Sequence, residues 1–205
     1  MTDFPSYPRG LWRSALPPAV VYDRHWARWA VGADSLTARL RAASSRFRVQ
    51  LLGQRRAMPL RDEWRCLGMS GPAETLVREV LLICDEIPVV YAHTIVHPRS
   101  VALDWPFLKA LGAQPLGHSL FADPRVQRGD FEFALLDARH PLVRRAHDAL
   151  GDAPVAGTAR LPARRSVFRR GAGAMLGAPV SSVAPGASDA GGSAGGVRSV
   201  VGSHT

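Results

Sequence analysis

An arginine stands in the middle of a run that otherwise reads as a buried strand: Arg78, in "TLVREVLLIC". A guanidinium cannot shed its charge, so burying one is costly unless it meets an anion. Two placements satisfy that demand. In one, Arg78 points outward beside Glu132 or another carboxylate of a neighbouring strand. In the other, its planar fork grips the carboxylate of a small ligand. Residues two apart on a strand share a face, so Arg78, Val80, Leu82 and Cys84 would form an apolar wall with one cationic end, suited to a small carboxylated ring. A second feature is "ALGAQPLGHSLFADP". Its Gly112 and Gly117 are helix stops and turn residues on one reading, and parts of a helical lid over a cavity on another. The residues alone leave both choices open.

Other chemistry is poorly represented. There is no Walker loop, no H-E-x-x-H and no G-x-G-x-x-G. His93 and His97 fall on a predicted strand, where residues four apart sit about 13 Å from each other, too far to share a metal. Cys66 and Cys84 lie in no C-x-x-C or His-rich setting and read as buried, reduced thiols.

The formal charge of +9 over 205 residues would ordinarily suggest a nucleic-acid partner. The basic residues are nearly all arginine, however, scattered in pairs such as Arg144-Arg145 and Arg164-Arg165, without the aromatic interleaving of a single-strand platform. Solvated charge is the expectation, with no nucleic-acid role. The N-terminal stretch "MTDFPSYPRGLWRSALPP" lacks the apolar run of a secretory signal, and no segment approaches the roughly 18 apolar residues of a membrane span. A cytoplasmic protein without membrane insertion, and a monomer, is expected.

Near the N-terminus, "VVYDRHWARWAVGADSLTARLRAASS" predicts two short helices, the second starting after the Asp34-Ser35 cap pair. A strand follows in "FRVQLLGQ", with a possible short one in "WRCLG". The run "AETLVREVLLICDEIPVVYAHTIVHP" predicts a hairpin turning at Asp85, Glu86 and Ile87. Two short helices come next, Asp104 capping the first and Pro115 opening the second. "VQRGDFEFALLDA" predicts one half-buried strand, "HPLVRRAHDALG" an amphipathic helix ending on Gly151, and "ARRSVFRRGAGAML" a hairpin through Gly171-Ala172-Gly173. From Gly177 to Thr205, 20 of 29 residues are Gly, Ala, Ser or Pro, a composition that predicts disorder. The expected organisation is a folded domain over 1–176 and a tail over 177–205. Strands joined by short turns and short helices predict an α+β fold, an antiparallel sheet with helices to one side.

Beside these readings stands a resemblance. The stretches "ADSLTARL", "LVREVLLICDEIPVVYAHTIVHP", "LGAQPLGHSLF" and "ARRSVF", in that order over about Leu11 to Leu176, resemble the chorismate-pyruvate lyase family, whose members cut chorismate into 4-hydroxybenzoate and pyruvate for ubiquinone synthesis. The resemblance implies helical flaps over a buried ligand pocket, and no metal or cofactor. By motif, Arg78 matches the arginine that holds the ring carboxylate. Leu116 matches a flap position that contacts the ligand through its backbone, and Leu36 a pocket-wall position that is methionine in some members. His93 stands where some relatives carry arginine, implying a weaker and pH-dependent second basic contribution.

The sequence departs from the family at its last strand, which there continues into a Thr-Glu pair whose glutamate contacts the ligand. Counting from "RRS" places that glutamate on Pro179, and no glutamate follows Glu132. Three expectations follow: an active lyase in which Glu132 or Asp130 substitutes or no carboxylate is needed; a degenerate member whose final strand is replaced, as by a frameshift; or a non-catalytic protein of the same fold that binds 4-hydroxybenzoate or another small carboxylate.

Overall fold

In the computed structural model, the described residues are 11–18, 35–150 and 160–181. The helix expected around Val21 to Ala30, Gly151 and the tail from residue 182 lie outside them.

The first element described in full is α1 (Leu36–Ala42), started by the Ser35 hydroxyl, which accepts from the Ala38 N–H at 3.4 Å. Strand β1 (Phe47–Ala57) follows, then α2 (Glu63–Cys66) where a short strand was expected. "EWRC" forms a single helical turn because Glu63 reaches back to accept from the Leu60 N–H at 2.7 Å, holding the turn at its start. Strands β2 (Thr75–Cys84) and β3 (Ile87–Val96) form the expected hairpin. Its turn is Asp85-Glu86, both at positive φ, as a two-residue turn matched to strand twist requires.

Next come α3 (Pro98–Leu103), a 3₁₀ turn over Pro106–Lys109, and α4 (Leu116–Ala122), which Pro115 opens as expected. Asp104 does not cap the 3₁₀ turn; it ends α3, and its carboxylate lies over the Gly171 turn, where an added Cβ would sit 2.6 Å from Asp104 Oδ1. Gly171, at φ +58, therefore answers both a backbone and a space requirement.

Strand β4 (Gln127–Arg128) and β5 (Glu132–Leu136) replace the single strand expected there. Both pair with β6 (Leu161–Arg170), one at each end, and the chain steps between them where the Gly129 N–H donates to Val167 O at 2.8 Å. Helix α5 (Pro141–Leu150) precedes β6, and β7 (Gly173–Ser181) closes the described chain.

The sheet is antiparallel, in order β1-β2-β3-β7-β6-β4, with β5 also on β6. Strand β7 is central, and it does not stop at Leu176: it continues through Gly177 to Ser181, pairing Ala178 with His93 and Val180 with Tyr91. Composition concealed this, because small residues fill a strand that lies between two others. Ala178 and Val180 are fully buried.

Helices cover both faces, not one. On one face, α3, the 3₁₀ turn and α4 pack Trp105, Leu108 and Leu120 onto Val96 and Met175, while α1 packs Leu36 and Leu40 onto Val80 and Leu82. On the other, α5 packs Leu142, Val143 and Ala146 onto Leu81, Tyr91 and Val180. The near-continuous apolar run of β2 reflects this burial from both sides.

Candidate active site

Pairing register places the side chains. Arg78 of β2 is opposite Thr94 of β3, which is opposite Gly177 of β7, which is opposite Ser166 of β6. One step along, Val80, Ala92 and Pro179 form a second row. These rows floor a pocket on the α1/α4 face, with Leu36 and Leu116 in its wall and about 750 Å³ of atom-free space counting its open mouth. The expected wall of Arg78, Val80 and Leu82 is present, whereas Cys84 is not part of the lining.

The two flaps meet over this pocket. Leu36 is the first residue of α1 and Leu116 the first of α4. They close so tightly that a Cβ at Gly117 would fall 2.5 Å from Ser35 Oγ. A lid thus accounts for "PLGHSLF".

Arg78 is 3% exposed. It does not sit beside Glu132. Its Nη2 donates to Gly112 O at 2.9 Å and Gln114 O at 2.8 Å, tying the loop before α4 to the sheet. Its Nε is buried without a hydrogen-bond partner among the described residues. Burial lowers its pKa to about 10, so the guanidinium stays charged. At the β6 side, Arg164 is buried and stacks on Phe131 at 4.4 Å, while Arg128 of β4 stacks on the same ring at 4.3 Å. No aspartate or glutamate is among the described residues lining the pocket.

Neither expected substitute carboxylate reaches the pocket. Glu132 accepts from Arg165 Nε at 2.8 Å, and Arg165, which also donates to Asp62 Oδ2 at 2.9 Å, stacks on Trp12 at 4.4 Å. Asp130 is exposed and outside the lining. Pro179 does line the pocket, at the position counted from the motif.

His93 requires a correction. It pairs with Glu79, one residue from the Arg78–Thr94 pair, so its ring lies on the opposite face and only its backbone borders the pocket. There Nε2 lies 3.2 Å from Glu63 Oε1 and Nδ1 3.3 Å from Glu79 Oε1. Burial alone would lower its pKa, but Glu63 and Glu79 together raise it to about 9. His93 is a charged member of the core rather than a pH-dependent contact to ligand. Tyr91 donates to Glu79 Oε1 at 2.6 Å, and Arg145 lies 3.3 Å from the same oxygen.

Sequence reading missed Arg128, Arg164 and this acidic pair. A signal for Arg164 existed. Adjacent residues of a strand point to opposite faces, so the Arg164-Arg165 doublet had to send one arginine to each side of the sheet. Among the described residues, no group of three or more His, Cys, Asp or Glu could hold a metal ion.

Fold and pocket together define a small-ligand-binding sheet protein roofed by helical flaps. The effector domain of PhnF from Mycobacterium smegmatis shares the fold, with TM-score 0.50 and 17% identity over 74% of this chain and 90% of that one. The chorismate lyase family profile matches residues 14–184. A "Probable chorismate pyruvate-lyase" of Ralstonia nicotianae is 79% identical over 171 residues, covering 83% of this chain and 88% of that protein. One of the same name from Cupriavidus metallidurans is 53% identical, covering 82% and 78%. The chain belongs to the chorismate lyase family. The profile extends past Leu176 to residue 184, so β7 through Ser181 lies within the family match.

Proposed function

We propose that this protein is a chorismate pyruvate-lyase, breaking the carbon–oxygen bond between the ring and the enolpyruvyl ether to release pyruvate and 4-hydroxybenzoate. The observation that carries the reading is Arg78. A buried guanidinium with an unpartnered Nε stands at one end of an apolar pocket whose described lining has no acid. The ring carboxylate supplies the missing partner, in a charge-assisted bond. Leu36 and Leu116 close the flaps on the ring, with Leu116 presenting backbone.

The chemistry suits such a site. The bonding pair leaves with the ether oxygen, the ring carbon bearing the hydroxyl loses a hydrogen, and the methylene carbon of the departing enolpyruvate gains one. Substrate and the two products balance with no net proton and no change of oxidation state overall. Aromatisation drives the step, so the pocket's task is orientation and exclusion of water. This accommodates Pro179, and it calls for no cofactor. On this reading the product enters ubiquinone synthesis in the cytoplasm, and the protein acts as a monomer. No helix among the described residues is long and apolar enough to cross a membrane.

The test is to incubate purified protein with chorismate and follow 4-hydroxybenzoate by absorbance and pyruvate by a coupled assay. Equimolar products well above the spontaneous rate are expected. Tight binding of 4-hydroxybenzoate without turnover would overturn the proposal in favour of a non-catalytic carboxylate-binding protein.

A further inference from the structure

The row of the pocket floor that begins at Arg78 ends in a hydroxyl. Arg78 is opposite Thr94, Thr94 opposite Gly177 and Gly177 opposite Ser166, so Ser166 stands three strand spacings, or about 14 Å, from Arg78 across the sheet. Gly177, between Thr94 and Ser166, carries no side chain, and a Cβ there would meet nothing closer than Phe168 Cε2 at 3.5 Å. The row alongside, Val80, Ala92 and Pro179, is wholly apolar. Ser166 lines the pocket and is 5% exposed, yet its hydroxyl makes no hydrogen bond among the described residues. A hydroxyl withdrawn from water without a partner is unfavourable. It can donate and accept, and its O–H turns freely, so a hydroxyl on a ligand suits it in either sense.

We propose that Ser166 determines specificity for the para oxygen of the ring: its hydroxyl bonds the 4-hydroxyl of chorismate and of 4-hydroxybenzoate while Arg78 holds the ring carboxylate. Resting on the chorismate reading, this assignment adds the group that fixes the far end of the ring. Part of the span is taken up by the long Arg78 side chain, and the rest fits a para-substituted ring with a hydrogen bond of about 2.8 Å at each end. Gly177 leaves the ring room to lie between them. Only a para oxygen lies on the line from the carboxylate through the ring; a meta oxygen is turned off it. Ser166 is held on β6, which is paired on both sides, so the hydroxyl is presented from a fixed point of the sheet.

Calorimetric titration of the full chain with 4-hydroxybenzoate, 3-hydroxybenzoate and benzoate, which share the ring carboxylate, tests this without turnover. The wild type should bind 4-hydroxybenzoate about three- to tenfold more tightly than benzoate, the scale of one neutral hydrogen bond, and 3-hydroxybenzoate within about twofold of benzoate. Ser166→Ala removes a single atom that bonds nothing else in the described protein, so the fold is kept. It should abolish the preference and leave the benzoate affinity within about twofold. Thr94→Val, one strand spacing from Arg78 and so out of reach of the para oxygen, should shift 4-hydroxybenzoate and benzoate alike and keep their ratio. A preference that survives Ser166→Ala, one that Thr94→Val removes, or one that extends to 3-hydroxybenzoate would overturn the assignment, as would a wild type without preference. Failure to turn over chorismate by a protein that keeps the preference sinks the lyase reading alone.

Discussion

Pro179 lies in the floor of the pocket directly opposite Ala92 of β3, at the position where the family resemblance implies a glutamate. It offers no carboxyl and no backbone donor. Since the reaction needs no net proton, the protein without that acid should still turn over, but without the roughly 10²- to 10⁴-fold that a positioned acid-base group contributes. Pro179→Glu should therefore raise kcat by about 10²-fold at neutral pH with little change in KM. Stopped-flow or steady-state assays with chorismate check this, and an unchanged kcat would show that the carboxylate is dispensable here. Arg78 calls for the opposite expectation. Arg78→Ala should weaken 4-hydroxybenzoate binding by about 1.5–3 kcal/mol, or roughly ten- to a hundredfold, by titration calorimetry. The same change frees the Gly112 and Gln114 carbonyls that Arg78 now bonds. Arg78→Lys, a point charge without the fork, should recover only part of the affinity. Unchanged binding in Arg78→Ala would leave the arginine as a tie for the loop alone.

Among the elements, the flaps α1 and α4 meet where Gly117 lies against Ser35 and Thr37. Gly117→Val adds atoms where a Cβ already falls 2.5 Å from the Ser35 hydroxyl, and that hydroxyl is the N-cap acceptor of α1. The flaps must part, and loss of the cap costs about 1 kcal/mol. The expected result is a KM for chorismate raised about fivefold or more, this being the scale of 1 kcal/mol, with the melting temperature lowered by only about 2–4 °C, the share of the lost cap. A KM equal to wild type would show that the flaps do not close on substrate. Legibility also divides at this scale. The β2–β3 hairpin, the Ser35 start of α1, the Pro115 start of α4 and the turn at Gly171 were all readable, because periodicity, caps and glycine act locally. What local reading could not supply was pairing. That Ala178 and Val180 extend β7 depends on β3 and β6 flanking them, so a Gly/Ala/Ser count reads there as disorder. The turn "EWRC" is fixed by Glu63 reaching back to Leu60, and the split of β4 from β5 by a bond to Val167, neither of which an apolar pattern encodes. At the site, Arg78, Leu36 and Leu116 were readable by motif, whereas Arg128 comes to the pocket only because β4 pairs with β6.

For the whole molecule, the sheet separates two environments of different charge. The pocket face holds Arg78, Arg128 and Arg164; the opposite face buries His93 between Glu63 and Glu79, with Arg145 of α5 and Arg55 of β1 beside Glu79. The second cluster ties α2, β2, β3 and α5 together, and its charge state controls global stability. His93 is raised from 6.5 to about 9 in the folded protein, against the lowering effect of its own burial, by the two carboxylates. Below pH about 6.5 both folded and unfolded chains hold the proton and the full stabilisation is present. Between about 6.5 and 9 the unfolded chain has released it while the folded one keeps it, so stability falls with rising pH, by at most about 1.4 kcal/mol per unit. Other groups of this core act elsewhere. Glu63 and Glu79 are held below the usual carboxylate range despite burial, chiefly by His93, so their contribution is lost only in acid. His140 is lowered by burial, so it costs stability below pH about 6.5 and is silent above it. The window from about 6.5 to 8 thus belongs to His93; above it the Cys66 and Cys84 thiols, pushed up by burial, add a loss in the same direction. Urea unfolding at several pH values should show the midpoint falling across that window for the wild type. His93→Gln should be less stable at pH 6.5, because it leaves the buried Glu63 without its imidazolium while Glu79 keeps Arg55 and Arg145, yet nearly flat up to about pH 8. A wild-type midpoint that does not move between pH about 6.5 and 8 would mean that the imidazole is neutral between its two carboxylates.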